Sequence, residues 1–149
     1  MLAVGPTARG TAQRVSHEAP EAPLSLIGVM PPPSLAEPWA LGNLRVPNRV
    51  LLAPLAGIGN WFVRLQAKRY GAGMAVSEMV SSHAIHHRNP RTCGEMLRID
   101  PREHEGGPVA IQLFGEDPAT MRSATAFVAA TAQADAIDIN MGCPVPKVR

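Results

Sequence analysis

The sequence predicts an α/β fold in which parallel strands alternate with helices. From residue 41 onward, apolar stretches of strand length alternate with stretches of helix length, which implies right-handed crossovers and a parallel sheet. No Gly-rich phosphate-binding pattern follows any strand, and this argues against a dinucleotide-binding or P-loop site. About four strands in 149 residues fall well short of the ~250 residues of a complete barrel. Four such strands form either half of an α/β-barrel or part of a doubly wound sheet, and the pattern alone leaves both open.

Proline sets the first forty residues apart from the rest of the chain. Residues 1–40 hold seven of the fifteen prolines, and their apolar residues show neither helical nor strand periodicity. A segment of this composition cannot bury enough apolar surface to offset the entropy lost on ordering. We therefore expect a disordered Pro-rich leader over residues 1–40 and a folded domain over residues 41–149.

The first half of the predicted domain contains a hairpin, a strand and a helix. Residues 41–48 carry turn residues between two short apolar stretches, as in a hairpin. Residues 49–53 form a nearly continuous apolar run, which predicts a strand buried on both faces. Asn60 is a suitable N-cap for a helix from residue 61 to about residue 70, and Gly71 supplies its C-terminal stop.

The second half adds three strands and a longer helix. Strands are predicted at residues 74–79, 108–114 and 136–140, the last of them buried. A polar, irregular stretch with a short helix connects the first two over residues 81–106. An Asp-Pro pair provides the N-cap and the first turn of a helix over residues 117–133. The apolar face of this helix consists of Met121, Ala124, Val128 and Ala132.

Composition and charge indicate a globular, cytoplasmic protein. A net charge of +2 and a hydrophobic share of 46% exclude neither an RNA partner nor a neutral substrate. Cys93 and Cys143 lie far apart, which fits neither a disulfide framework nor a metal-binding pair and favours a reducing cytoplasm. We expect no membrane partner, because no apolar run reaches the ~18 residues of a membrane span and the first residues lack a secretory-signal pattern.

Function in a parallel α/β array concentrates where the strands end. The predicted strand ends carry residues 54–56, residues 77–79, Gln112 and residues 140–144. Together they offer backbone amides and carbonyls, one carboxylate, two side-chain amides and a thiol. This inventory suits a flat polar heterocycle better than a phosphate or a metal.

Each of these residues also has a simpler structural explanation. Gln112 alone is more often a residue that caps a strand toward solvent, and Glu78 is more often paired with an arginine. Cys143 alone is more often a small buried side chain. The residues by themselves therefore leave both explanations open.

The polar stretch between the second and third barrel strands holds clusters of basic residues. Its arginines are Arg88, Arg91, Arg98 and Arg102. They form either an RNA-facing surface or, more commonly, an ordinary solvated loop. Its histidines are His83, His86 and His87. No fourth ligand accompanies these histidines, so we expect no metal site.

The loop after the first predicted barrel strand carries a specific pattern. It reads APLAG at residues 53–57 and is followed by Phe62 and Arg64, which resembles APMAGxTDxxFR, the signature of tRNA-dihydrouridine synthases. Leu55 replaces the usual Met and Gly-Asn replaces the usual Thr-Asp. These departures are tolerable because Asn60 can still cap the helix. The sequence thus resembles that family at its first strand end.

Three further motifs follow in the order of the same family. SEM at residues 77–79 and IQLFG at residues 111–115 match its second and third strand ends. DINMGCP at residues 138–144, with Lys147 four residues past the cysteine, matches its active-site motif. The resemblance covers residues 41–149 and is greatest to the bacterial B-type branch.

The resemblance implies an FMN-dependent enzyme that acts on tRNA. The family has a TIM (β/α)8 barrel with a C-terminal helical RNA-binding domain, and the resemblance implies that residues 41–149 are the N-terminal half of this barrel. The family reduces the C5–C6 double bond of particular tRNA uridines with NAD(P)H, and NADPH is the expected reductant. By position, the residues lining the flavin are Pro54, Leu55, Ala56 and Gln112. The substrate and catalytic residues are Asn140 on the flipped uracil, Lys147 on the substrate and Cys143 as proton donor. The full-length protein is expected to be a monomer that takes tRNA as its partner.

The implied chemistry makes Cys143 a general acid. Hydride from reduced flavin reaches C6 of the uracil and leaves enolate-like charge on O4 and C5, so a proton must reach C5 from the opposite face. A thiol with an ordinary pKa of ~8.5 is mostly protonated at neutral pH, so Cys143 needs no special tuning. The base must also leave its stack, at a cost of roughly a few kcal/mol that RNA contacts offset.

The later strands of the family supply a lysine, a histidine and a Gly-rich phosphate-binding loop that these 149 residues do not contain. We therefore expect a fragment that binds FMN weakly or not at all and does not reduce uridine alone. One alternative is another FMN-barrel oxidoreductase, of the dihydroorotate or dihydropyrimidine type. The others are a non-catalytic RNA-binding remnant and a misfolded remnant.

Overall fold

The computed structural model describes residues 34–142, which begin with a small antiparallel hairpin. Strand β1, Trp39–Leu41, pairs with β2, Leu44–Val46. The predicted hairpin is therefore present, with its turn between the two strands as expected.

The first strand begins earlier than the predicted leader boundary at residue 40. Trp39 already belongs to β1, and its indole Nε1 donates to the carbonyl oxygen of Asn48 at 3.0 Å. The backbone N–H of Arg49 likewise donates to the carbonyl oxygen of Leu35 at 2.8 Å. These two hydrogen bonds hold residues 35 and 39 against residues 48 and 49, and the division of the chain into a leader and a folded domain stays a prediction. Residues 1–33 lie outside the described range, and disorder there stays a prediction.

Four strands form one parallel sheet in the order β3–β4–β5–β6. They are β3 (Leu51–Leu52), β4 (Met74–Ser81), β5 (Val109–Phe114) and β6 (Ala136–Ile139). Each strand pairs in parallel with the next one along the chain. This order is that of half an α/β-barrel, whereas a doubly wound sheet reverses its strand order at a switch point.

Helices connect the strands. They are α1 (Trp61–Arg69), α2 (Ser82–His86) and α3 (Pro118–Thr131). A π-helical turn spans Thr92–Met96 and a 3-10 turn spans Pro101–Gly106. The stretch predicted as irregular with one short helix, residues 81–106, therefore contains three short helical pieces.

Local caps account for two of these short pieces, α2 and the 3-10 turn. The hydroxyl oxygen of Ser81 accepts from the backbone N–H of Ala84 at 3.3 Å and starts α2. Asp100 and Glu103 form a reciprocal capping box at the 3-10 turn, in which the Asp100 N–H donates to Glu103 Oε1 at 2.8 Å. Pieces of five or six residues show no apolar period, which is why the sequence pattern did not reveal them.

The predicted signals at both ends of α1 are confirmed. Asn60 Oδ1 accepts from the backbone N–H groups of Phe62 and Val63 at 3.1 and 3.2 Å. Gly71 follows the helix with φ of 94°, the left-handed region in which glycine is favoured after a helix end. The helix therefore occupies the predicted span to within one residue.

The main core lies between the β4–β5 pair and α3. Leu113 of β5 packs in one cluster with Ala124, Val128 and Ala132 of α3, all of them buried. Met121 packs against this cluster and is partly buried. The predicted apolar face of α3 is thus confirmed as the face that covers the sheet.

The two outer strands are more exposed than predicted. Leu51 of β3 is 43% exposed and Ile139 of β6 is 52% exposed, although both strands were predicted to be buried. The reason is topological, since β3 and β6 each have a neighbour on one side only among residues 34–142. The central strand β5 has two neighbours, and all its residues from Val109 to Leu113 are buried.

Candidate active site

Polar side chains line up across the carboxyl ends of the parallel sheet. Met79 of β4 pairs with Gln112 of β5, and Gln112 pairs with Asp138 of β6. Asn140 follows β6 directly. The register of β4 shifts between Val76 and Met79, and such bulges re-aim side chains beside functional sites.

Gln112 is held from two sides and is only 8% exposed. Its Nε2 donates to Asp138 Oδ2 at 2.6 Å, and its backbone N–H donates to the hydroxyl of Ser77 at 2.9 Å. That hydroxyl in turn donates to the carbonyl oxygen of Glu78 at 2.8 Å. A solvent-capping role for Gln112 is therefore wrong, because the side chain is buried in a hydrogen-bonded network.

Asn140 joins the same network. Its Nδ2 lies 2.9 Å from Met79 Sδ and 3.4 Å from Gln112 Oε1. Its backbone N–H donates to the carbonyl oxygen of Leu113 at 2.9 Å. Its Oδ1 accepts from the backbone N–H of Gly142 at 3.0 Å. The residue predicted to bind uracil therefore contacts the residue predicted to bind flavin.

The carboxylate of Asp138 sets the direction of this hydrogen-bond chain. An ionised carboxylate only accepts hydrogen bonds, so the amide nitrogen of Gln112 faces it. The Gln112 oxygen is then turned toward the amide nitrogen of Asn140. This leaves the Asn140 oxygen for the N–H of Gly142. One anionic group thus orients two neutral amides.

The loop after β3, residues 53–59, is attached to β4. The backbone N–H of Gly57 donates to Glu78 Oε2 at 2.8 Å, and the N–H of Gly59 donates to the carbonyl oxygen of Leu55 at 2.7 Å. The expectation that Glu78 pairs with an arginine is therefore wrong. Its carboxylate instead holds a backbone amide of this β3 loop.

The predicted flavin-contacting residues of the β3 loop face outward. Pro54 is partly buried, whereas Leu55 and Ala56 are exposed. A Cβ on Gly59 would lie 2.9 Å from the carbonyl oxygen of Leu55 and 3.1 Å from the backbone nitrogen of Glu78. The glycine therefore allows the loop to fold tightly onto β4 while its exposed side stays available for a ligand.

A buried ion pair lies behind the β3 loop. Arg64 Nε lies 2.8 Å from Glu103 Oε2, and the two side chains are 1% and 0% exposed. Arg64 Nη1 donates to the carbonyl oxygen of Gly59 at 3.1 Å, and Nη2 donates to that of Arg98 at 2.7 Å. This pair connects α1 with the β3 loop and with the segment between β4 and β5.

The structure unites part of the predicted site. It brings Gln112 and Asn140 into contact and attaches the loop that contains residues 54–56 to β4. Cys143 and Lys147 lie outside the described residues. Their predicted roles stay predictions.

Sequence reasoning missed several members of the network. Asp138 lies two residues before Asn140 in the strand, so strand periodicity already indicates that the two side chains share one face. The contributions of Ser77 and Met79 depend on the register of β4 against β5, and no local pattern shows that register. Glu103 lies in a stretch that looked solvated, and its partner is 39 residues away.

The four arginines between β4 and β5 all contact other groups of the chain. Two guanidinium groups lie over aromatic rings, with 3.9 Å from Arg88 to Phe127 and 4.4 Å from Arg98 to Trp61. The other two arginines form the ion pairs Arg91–Glu95 and Arg102–Asp100. Arg102 also holds the pKa of the Asp100 carboxyl far below its ordinary value. These contacts favour a structural role for the arginines.

Residues 34–142 show neither a metal cluster nor a membrane span. His83 and His87 stack with ring centroids 4.3 Å apart, and His86 Nδ1 lies 3.0 Å from the hydroxyl of Ser123. Within the described range, no three His, Cys, Asp or Glu side chains are grouped so that they could hold a metal ion. No helix of that range is long and apolar enough to cross a membrane.

A second polar region lies at the opposite, amino-terminal ends of the strands. Lys68 of α1 is buried, and its Nζ donates to the carbonyl oxygen of Pro108 at 2.8 Å. Burial lowers the pKa of this ammonium group from 10.5 to about 8. An adjacent cavity of about 500 Å³ is bordered by Lys68, Arg45 and His104. Polar groups at this end of a barrel more often serve stability than catalysis.

Known proteins resemble this chain over most of its length. Residues 51–149 match the family model described as Dihydrouridine synthase (Dus). A probable tRNA-dihydrouridine synthase 1 of Synechocystis sp. is 41% identical over 128 residues, covering 85% of this chain and 34% of the relative. The tRNA-dihydrouridine synthase B of Vibrio vulnificus is 40% identical over 108 residues, covering 72% of this chain and 32% of the relative.

A relative of lower sequence identity has a name from the same family. A probable tRNA-dihydrouridine synthase of Treponema pallidum is 35% identical over 115 residues, covering 77% of this chain and 33% of the relative. The chain thus spans about one third of the length of the curated relatives that it matches. The family assignment and the half-barrel fold class are confirmed, and the chain belongs to the dihydrouridine synthase family.

Proposed function

We propose that this chain provides part of the FMN and uridine sites of a tRNA-dihydrouridine synthase, which reduces the C5–C6 double bond of specific tRNA uridines with NAD(P)H in the cytoplasm. The observation that carries the proposal is the contact between Gln112 Oε1 and Asn140 Nδ2, at 3.4 Å, on neighbouring strand ends. The residues assigned to flavin and to uracil by position are thereby adjacent. Such adjacency is required if the two rings are to react with each other.

The residues of this chain fit a flavin in chemical character. A flat heterocycle with carbonyl and imide edges needs hydrogen-bond donors and acceptors in its plane and apolar groups against its face. Gln112 supplies a directed amide, and the β3 loop supplies Pro54, Leu55 and Ala56 on its partly or fully exposed side. These four residues would hold the ring, and FMN reduced by NADPH would supply hydride for C6 of the uracil.

Asn140 is suited to hold a uracil in one orientation. Uracil presents an alternating set of carbonyl oxygens and an imide N–H, and a carboxamide can both donate to and accept from such an edge. Because Gln112 and Gly142 fix which end of the Asn140 amide donates, the side chain needs little reorganisation to bind. Preorganised polar groups of this kind stabilise a reacting base without ordering costs.

Cys143 completes the addition across the double bond. Hydride at C6 leaves an electron pair at C5, and the Cys143 thiol gives its proton there, becoming a thiolate that solvent reprotonates. Cys143 directly follows Gly142 in the chain, whose N–H is bound by Asn140. Lys147 is assigned to the substrate. Matched relatives carry tRNA-dihydrouridine synthase in their names, which favours tRNA over free uracil or orotate as the substrate.

A chimera tests this proposal in a complete barrel. The matched N-terminal third of the Synechocystis relative is replaced by this chain, and the chimera is expressed in a bacterial strain without its own dihydrouridine synthases. Dihydrouridine in purified tRNA is then measured by liquid chromatography and mass spectrometry. We expect dihydrouridine with the unmodified chimera and at least a hundredfold less with Cys143→Ala, in keeping with the loss of a general acid.

Cys93→Ala is the matched control, because Cys93 is the other cysteine of the chain and lies away from the strand ends, between β4 and β5. The control should retain full activity. An undiminished dihydrouridine yield with Cys143→Ala would contradict the proposed role of this thiol.

A further inference from the structure

The Arg64–Glu103 ion pair is fully buried and fully engaged. Arg64 Nε and Nη2 contact the two carboxylate oxygens of Glu103 at 2.8 and 3.3 Å. Glu103 Oε1 also accepts from the backbone N–H of Asp100 at 2.8 Å. Desolvating two charges is expensive, and apolar residues of similar volume often serve stability equally well. The stability of the core therefore does not by itself explain this pair.

The remaining hydrogen bonds of Arg64 reach two separate loops. Nη1 donates to the carbonyl oxygen of Gly59 in the β3 loop, and Nη2 donates to that of Arg98 between β4 and β5. A planar guanidinium with five N–H groups can bind a carboxylate and two carbonyls at once, which a lysine cannot do. Arg64 therefore fixes the position of the β3 loop relative to the rest of the sheet.

Gly59 transmits this position to the exposed part of the loop. Its N–H donates to the carbonyl oxygen of Leu55 at 2.7 Å, while its own carbonyl oxygen accepts from Arg64. Gly57 is held separately by Glu78 of β4. The loop is thus fixed at two points, one on each side of Ile58. Residues 54–56 lie just before both attachments.

We propose that Arg64 is a positioning residue, which together with Glu103 fixes the β3 loop in the conformation that receives the flavin. The inference rests on the proposed function for the identity of the ligand. The attachment of the loop itself rests only on the contacts of Arg64, Glu103 and Gly59. The two parts can therefore be tested separately.

The first test measures amide hydrogen exchange in the 149-residue chain without any ligand. The variant Arg64→Met/Glu103→Met removes both charges together and leaves no uncompensated ion in the core. We expect exchange at the Gly59 amide to become at least tenfold faster, while the amides of β5 keep their protection. Unchanged exchange in the loop, or equal acceleration in β5, would overturn the proposal, since the pair would then serve stability alone.

Two further variants sharpen this test. Arg64→Lys keeps the charge beside Glu103 but cannot reach both carbonyls, so it should accelerate exchange at Gly59 more than in β5. This variant also decides the question if the double variant does not fold. Arg102→Met removes an exposed ion pair in the neighbouring segment and should leave loop exchange unchanged.

The second test measures FMN dissociation constants of the chimera by quenching of flavin fluorescence. Arg64→Lys should weaken FMN binding about tenfold, and Arg102→Met should not. Equal affinity of Arg64→Lys and the parent would overturn the positioning role. A parent chimera that folds but binds no FMN would instead contradict the proposed function, and the exchange measurement would still decide whether Arg64 fixes the loop.

Discussion

A single carboxylate determines how the two amides of the candidate site are oriented. Asp138 receives the Gln112 amide nitrogen at 2.6 Å, and the rest of the chain of hydrogen bonds to Asn140 and Gly142 follows from that choice. Neutral amides can turn over at little cost when both ends find partners. Without Asp138, the orientation of Gln112 and Asn140 would no longer be fixed.

Replacing Asp138 should therefore reduce activity more than stability. We expect Asp138→Leu to lower dihydrouridine formation by the chimera about tenfold, which corresponds to about 1.4 kcal/mol. Asp138→Asn is the matched control, because its side-chain oxygen can still accept from Gln112, and it should lose less. Initial rates at saturating tRNA would measure the effect. Equal rates for Asp138→Leu and the parent would show that this carboxylate does not orient the site.

At the scale of elements, local signals predicted some parts well. The caps and apolar faces of α1 and α3 are contained in short stretches of sequence, so Asn60, Gly71 and the apolar face of α3 appear where expected. The short helical turns between β4 and β5 were missed because pieces of five or six residues show no apolar period. The burial of Glu103 in one of them was not predictable locally, since its partner Arg64 lies in α1, 39 residues away.

Lys68, in the last turn of α1, attaches this helix to the sheet at the amino-terminal ends of the strands. Its Nζ donates to the carbonyl oxygens of Pro108 and Gly73, just before β5 and β4. Burial lowers the pKa of Lys68 to about 8, whereas the unfolded chain keeps an ordinary value near 10.5. Below about pH 8 the folded protein therefore bears the cost of a buried charge.

This shift predicts how stability depends on pH. Between about pH 8 and pH 10.5 the unfolded state binds more protons than the folded state. The contribution of Lys68 to the free energy of unfolding therefore rises with pH in this range. The rise is at most about 3 kcal/mol. Urea denaturation at pH 7.5, 9 and 10.5 would measure it. Lys68→Met should remove the rise. Subtracting the free energy of unfolding of this variant from that of the parent at each pH cancels the contribution of the other titrating groups. Parallel pH profiles would contradict the prediction.

The two outer strands of the sheet, β3 and β6, each have a strand neighbour on one side only within residues 34–142. Exposed apolar residues lie in or beside these strands, including Val50 at 47% and Ile139 at 52% exposure. Open parallel edges of this kind pair with other chains unless charge prevents it. The fold was predictable because strand order follows from βαβ alternation, but edge exposure depends on which neighbours a strand has.

The open edges predict self-association of the isolated chain. Its apparent mass in light scattering after gel filtration should increase with protein concentration. Ile139→Lys places a charge on the β6 edge. It should therefore favour the monomer and raise the dissociation constant of self-association at least twofold. Tyr70→Lys is the matched control, because Tyr70 is 91% exposed but follows α1 and belongs to neither outer strand. An equal effect of both variants would exclude edge pairing as the cause.

Two members of the candidate site were predictable, but the contacts that orient them were not. The motifs identified Gln112 and Asn140, since each follows from position in a strand-end pattern. The hydrogen bonds that orient them come from Ser77, Met79 and Asp138, which meet only once the strands are in register. Tertiary contacts of this kind have no local sequence signal.

We propose that the carboxyl ends of the strands form the flavin side of the site. Nuclear magnetic resonance of the 149-residue chain, titrated with FMN to millimolar concentration, tests this directly. We predict weak, saturable shifts of the Gln112 and Asn140 side-chain amides and of the Gly57 N–H, and loss of these shifts in Gln112→Ala. Shifts centred on Lys68 and His104 at the opposite end, or identical responses of the parent and Gln112→Ala, would contradict the claim.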